Sequence, residues 1–152
     1  MKLACQTLPY TSVYIDADLH VVHIICEGYV PSSVFRQTIS TALEIVKNEQ
    51  FTAGIYNVSK LRSLHPHDQD WLIDEILPTL MHTSMTKVAI MESTLGASQL
   101  NFNHLVYTLD ASCPFELQYF EDVDSALEWV SQPVDKDTST TFSFESKDLP
   151  FI

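Results

Sequence analysis

Glycine is scarce in this chain, with three residues in 152. Loops that cradle phosphates need several glycines at fixed offsets. Neither G-x-x-x-x-G-K-[ST] nor G-x-G-x-x-G is present, and no G-x-S-x-G turn presents a nucleophilic serine. Cations are scarce too: eight Lys and Arg against 20 Asp and Glu give a net charge of −12. Nucleic acid and anionic membrane surfaces need clustered cations to displace counterions, and no basic cluster is visible, so neither is an expected partner. The longest apolar run, "VVHIIC", is far too short to cross a bilayer, and "MKLACQTLPY" does not read as a secretion signal. Cys5, Cys26 and Cys113 are odd in number and include no C-x-x-C pair, so reduced thiols in a cytoplasmic protein are expected. Cys26 falls in an apolar strand, and Cys113 in a loop before Pro114. In that compartment the triplet Asn57-Val58-Ser59 is not a glycosylation site.

What is present is an apolar fraction of 45% with 18% charge, the balance of one globular domain. A chain of this length buries roughly two-thirds of its unfolded surface, enough for a core without disulfides or metals. Residues 13–27 alternate as a hairpin turning at Asp16-Ala17-Asp18. Ser32 or Ser33 then caps a helix with the stripe Phe35, Ile39, Ala42, Leu43 and Val46. "FTAGIYNV" is a strand. Ile73, Ile76, Leu77, Leu80 and Met81 mark the buried stripe of a second helix, from about Pro66 to His82. "KVAIME" and "FELQYF" are further strands. Phe102, Leu105, Val106 and Leu109 belong to a third helix, and Val123, Ala126, Leu127 and Val130 to a last one. Strands alternating with helices imply parallel crossovers, so the expected fold is α/β. It has a mixed sheet of about five strands, an antiparallel hairpin first, with helices packed on it. Residues 1–131 make the domain. Residues 132–152 are a polar extension packing on the domain or on a neighbouring subunit, with "TTFSFES" alternating like an edge strand.

The densest polar cluster is "LHPHDQDW". His65 and His67 flank Pro66 and in an extended backbone would point the same way, as two metal ligands would. No third ligand has a recognisable spacing, whereas Pro at the first helical position and aspartates in the first turn suit a helix start. The helix-start reading is preferred, and no metal is expected. At about 100° per residue, Trp71, Glu75, Pro78 and His82 fall opposite the buried stripe and form a candidate interaction surface. On that reading Trp71→Ser disturbs association more than folding; the alternative is a ring folded over the helix start, half buried. Pro78 either kinks the helix or marks its last turns. If a ligand binds, it sits beyond the carboxyl ends of the parallel strands, near Asn57, Ser59, His65, His67, Glu92, Ser93 and Thr94. The carboxylates Glu92, Asp110 and Glu116 show no pairing. No catalytic residues and no cofactor are expected.

Several stretches together resemble a known family. The hairpin, the capped helix, "AGIYNVSKLRSL", "DQDWLIDEILPTLMHTSMTKVAIM" and "LQYFEDVDSALEWV" are similar to SpoIIAA-like, STAS-type domains over roughly residues 10–131. Small bacterial proteins of this kind are also described as SEC14-like. The resemblance implies a non-catalytic regulatory or protein-interaction module, with a protein partner or self-association as a homodimer. Its alternative is a carrier or sensor of a small apolar or anionic ligand, and a hydrolase is a more distant third. The family's antagonists of anti-sigma factors carry a phosphorylated serine at the start of the second helix. Here that region is "LHPHDQDW", without serine, threonine or glycine, so a phosphorylation switch of that type is not carried over.

Overall fold

The computed structural model describes residues 2–92 and 114–132. Its centre is a six-stranded sheet in sequential order: β1 (Lys2–Leu8), β2 (Thr11–Asp16), β3 (Val21–Tyr29), β4 (Ala53–Ser63), β5 (Lys87–Glu92) and β6 (Glu116–Tyr119). The first three strands are antiparallel, and β3 to β6 are parallel. The mixed α/β sheet is the expected one, with one strand more than the five anticipated. The extra strand is β1, whose "KLACQTL" lacks clean alternation and bulges between Ala4 and Gln6; β2 supplies its pairing.

The hairpin turn is built by Asp16, whose Oδ1 accepts from the N–H of Asp18 at 3.1 Å and of Leu19 at 3.2 Å. Helix α1 (Ser32–Glu49) buries Phe35, Thr38, Ile39, Ala42 and Val46, while Leu43 is only half buried. Neither serine caps it. Pro31 occupies the cap position, and the Ser32 hydroxyl is used elsewhere, donating to Asp68 at 2.7 Å.

The second helical segment has three parts: α2 (Pro66–Trp71), a π-turn (Leu72–Ile76) and α3 (Leu77–Leu80). Pro78 accounts for the wide turn. It has no N–H for the Asp74 carbonyl, and in a regular helix its ring would press against that carbonyl. Just upstream the Leu77 N–H reaches the Leu72 carbonyl, the five-residue step of a π-turn. The proline thus lies in the last turn of the helix, which ends at Leu80. The fully buried positions run Asp68, Leu72, Leu77, in steps of four and then five. The expected stripe assumed regular steps; of its members only Leu77 is fully buried, and Ile73, Ile76, Leu80 and Met81 are half buried.

Alternation in the strands gives the sheet two apolar faces. Val22, Tyr56 and Ile90 face α1 and the π-turn, meeting Phe35, Ile39, Leu72 and Leu77. Val21, Ala53, Ile55, Ala89 and Met91 face α4 (Val123–Ser131), meeting Ala126 and Val130. Asp122 caps α4 by accepting from the Ser125 N–H at 2.8 Å. At its other end the Lys87 ammonium donates to the carbonyls of Trp129 and Gln132, both at 2.9 Å. The anticipated helix through Phe102, Leu105, Val106 and Leu109 lies outside the described residues, as does the extension beyond Gln132.

The described pairing of β5 with β4 reaches Val58 with Glu92, the last described residue of that stretch. β3 and β4 continue together, pairing Glu27 with Lys60, Gly28 with Leu61 and Tyr29 with Ser63.

Candidate functional site

The β3–β4 pairing carries an irregularity near its carboxyl end. Between the pairs Ile25–Asn57 and Glu27–Lys60, β4 has one residue more than β3. The Asn57 carboxamide oxygen accepts from the Ser59 N–H at 3.2 Å and from its hydroxyl at 2.7 Å. These two candidate ligand residues therefore bind each other and shape the strand.

His65 caps α2: its Nδ1 accepts from the His67 N–H at 3.1 Å, and Pro66 is the first helical residue. The two imidazoles pack edge to face with centroids 4.9 Å apart. Among the described residues no group of three His, Cys, Asp or Glu side chains is placed to hold a metal.

Directly beneath, the carboxylate of Asp68 is 2% exposed. It accepts from the Ser32 hydroxyl and from Arg36 Nε, each at 2.7 Å. Arg36 also donates to the His67 carbonyl at 3.3 Å and lies 5.0 Å above the Trp71 ring. Trp71 in turn stands edge-on to Phe35, centroids 6.4 Å apart. Of the two readings of Trp71, its surroundings match the ring folded over the helix start: it is half buried against Phe35 and Arg36. Glu75 and His82 are exposed and Pro78 is half buried. His82 lies far from Trp71, on an open depression of about 280 Å³ shared with Lys47 and Gln50 at the amino end of the sheet.

Of the remaining ligand candidates, Glu92 ends β5, half buried, and Ser93 and Thr94 lie outside the described residues. The structure adds a grouping that the sequence did not reveal. Tyr56, Cys26, Glu92 and Asp68 come from four separate elements, and electrostatic coupling links the phenol to the other three. Burial, and then the proximity of Cys26, Glu92 and Asp68, holds the Tyr56 phenol well above its ordinary 10.0. Burial pushes the Cys26 thiol up to about 12. A thiol held neutral in this way is a poor nucleophile. The signal available in sequence was an apolar strand position for Cys26 and for Tyr56, which reads as core.

Between α1, the π-turn and the sheet lies an apolar cavity of about 90 Å³, lined by Val22, Ala42, Gly54, Leu72, Ile76 and Val88 among others. Among the described residues no helix is long and apolar enough to cross a membrane.

No family model and no curated protein matches the chain. One solved structure does: an uncharacterised protein of the DUF3478 family from Shewanella loihica PV-4, described as having a SpoIIAA-like fold. The match covers 86% of this chain and 95% of that one, at 17% identity and a TM-score of 0.50. The chain thus has a SpoIIAA-like α/β fold, as the sequence resemblance implied.

Proposed function

We propose that this protein is a non-catalytic interaction module, cytoplasmic, that recognises a protein partner or a second copy of itself at the carboxyl end of its sheet. The observation that carries this reading is a pair of large aromatic side chains on show at the carboxyl end of β3 and in the turn beside it. Tyr29, the last residue of β3, is 70% exposed, and Tyr10 in the neighbouring β1–β2 turn is 60% exposed. Tyr10 also holds a left-handed backbone with φ of 72°, a conformation that costs an ordinary residue about 1–2 kcal/mol. Tyrosines displayed in this way supply contact area at low entropic cost.

Two further features support a module without a switch of the phosphoserine type. The first turn of α2 contains no serine or threonine, and its Asp68 carboxylate is already bound by Ser32 and Arg36. The cavity of about 90 Å³ is smaller than the 300 Å³ or so that a carrier needs for a drug-sized ligand. Its apolar lining favours the carrier reading only for a very small ligand.

Native mass spectrometry of protein purified without added ligand tests the reading. A dimer, or a bare chain that captures a protein partner, is expected. A discrete small-molecule mass lost on denaturation would replace this reading with the carrier.

A further inference from the structure

The two exposed tyrosines share their surface with charges of both signs. The Glu27 N–H donates to the Tyr10 carbonyl at 2.8 Å, which ties the β1–β2 turn to the carboxyl end of β3. Gly28 comes next, with φ of 73°, and a Cβ added there would meet the Tyr10 ring at 3.7 Å. Tyr29 follows directly, and Glu27 is exposed like both tyrosines. Lys60, also exposed, is the Cα partner of Glu27 on β4.

Residues in register on adjacent strands point to the same face. Even so, among the described residues no ion pair within 4.0 Å uses Glu27 or Lys60. Other cations with described side chains are engaged: Arg36 binds Asp68, and Lys47 lies 3.5 Å from Glu44. Lys87 is buried against the carbonyls of α4. Exposed Arg62 resembles Lys60, and it precedes Ser63, the Cα partner of Tyr29.

This mixture of signs selects the partner. A uniformly acidic surface would be repelled by Glu27, and a uniformly basic one by Lys60. A second copy turned about a two-fold axis satisfies both, since Glu27 of each chain then meets Lys60 of the other. Two chains of net charge −12 repel each other, and among the described residues the surface around Lys60 and Arg62 is where that repulsion is offset. The tyrosine rings supply the contact area that exposed ion pairs alone do not turn into affinity.

From these observations we infer that Tyr10, Glu27, Tyr29 and Lys60 form the isologous interface of a homodimer, with Glu27 of each copy paired to Lys60 of the other. This rests on the interaction reading above and names the partner as a second copy of this chain.

Sedimentation velocity of the full-length protein over a series of concentrations tests it. Wild type should pass from monomer to dimer as concentration rises. E27K places two cations at each contact and K60E two carboxylates, so each variant should dimerise about tenfold more weakly. Their one-to-one mixture should recover wild-type association, because every mixed contact again joins opposite signs. Y10G separates folding from binding: glycine adopts φ of 72° freely, so the variant should fold as wild type does, yet dimerise about tenfold more weakly. Wild type that stays monomeric, variants that dimerise as wild type does, or a mixture no better than its components would overturn the inference. Its failure is separable from that of the interaction reading: a monomer that binds a different protein rejects self-association alone. A retained small molecule with no association rejects the broader reading.

Discussion

Arg36 Nε stands 2.7 Å from Asp68 Oδ1 across 32 residues of sequence, joining the second turn of α1 to the first turn of α2. The two partners are unequal: the Asp68 side chain is 2% exposed and that of Arg36 41%. A buried carboxylate depends on its donors, whereas a half-exposed guanidinium can turn to water. Geometry at the head of α2, just after the end of β4, depends on this pair.

Removing Arg36 should accordingly cost more than removing Asp68. Arg36→Ala leaves the carboxylate with Ser32 as its one remaining side-chain donor among the described residues, at an expected cost of about 2–4 kcal/mol. Asp68→Ala should cost less, since Arg36 keeps its stacking on Trp71. Urea denaturation of both single variants and the double variant measures this. Equal losses would reject the asymmetry.

Trp71 follows the half-buried branch of its sequence expectation. Because its ring packs on Phe35 and beneath Arg36, Trp71→Ser should lower stability by about 2 kcal/mol or more and leave any association unchanged. Denaturation paired with analytical ultracentrifugation decides. A stable variant with altered assembly would restore the exposed-face reading.

Pro78 should be the cause of the π-turn. Pro78→Ala supplies the missing donor and removes the ring, so it should stabilise the helix by up to about 1 kcal/mol, less than the roughly 3 kcal/mol penalty of proline in a regular helix interior. The amide gained at position 78 should exchange slowly with solvent. A destabilised variant, or a fast-exchanging amide there, would show that the wide turn has another origin.

Cys26 gives a pH dependence whose sign follows from burial. Its thiol is raised from 9.0 to about 12, so the unfolded chain loses this proton first as pH rises. The contribution is complete below pH 9 and is lost between 9 and about 12, at no more than roughly 1.4 kcal/mol per pH unit. Cys26→Ala, though less stable at pH 7, should show a flatter decline across that range. Parallel declines for wild type and variant would assign the effect to Tyr56 or other groups.

The order and type of most elements were legible from sequence, since apolar periodicity and turn residues such as Asp16 act locally. So was the resemblance to the SpoIIAA-like fold. The carboxyl end of the sheet was only partly legible. Asn57 and Ser59 were placed near it, but their mutual hydrogen bonds depend on a one-residue excess over β3 that no reading of β4 alone contains. The buried stripe of the second helix departed from regular spacing because a π-turn shifts the helical phase, and only packing settles where such a turn falls. Ser32 left its capping role for Asp68, on a segment far along the chain. The sequence by itself determined which residues could be helix, strand or turn, because those preferences are local. Which side chains share a charge, a ring or a strand edge was decided by the tertiary structure, because burial and Coulomb coupling act through space.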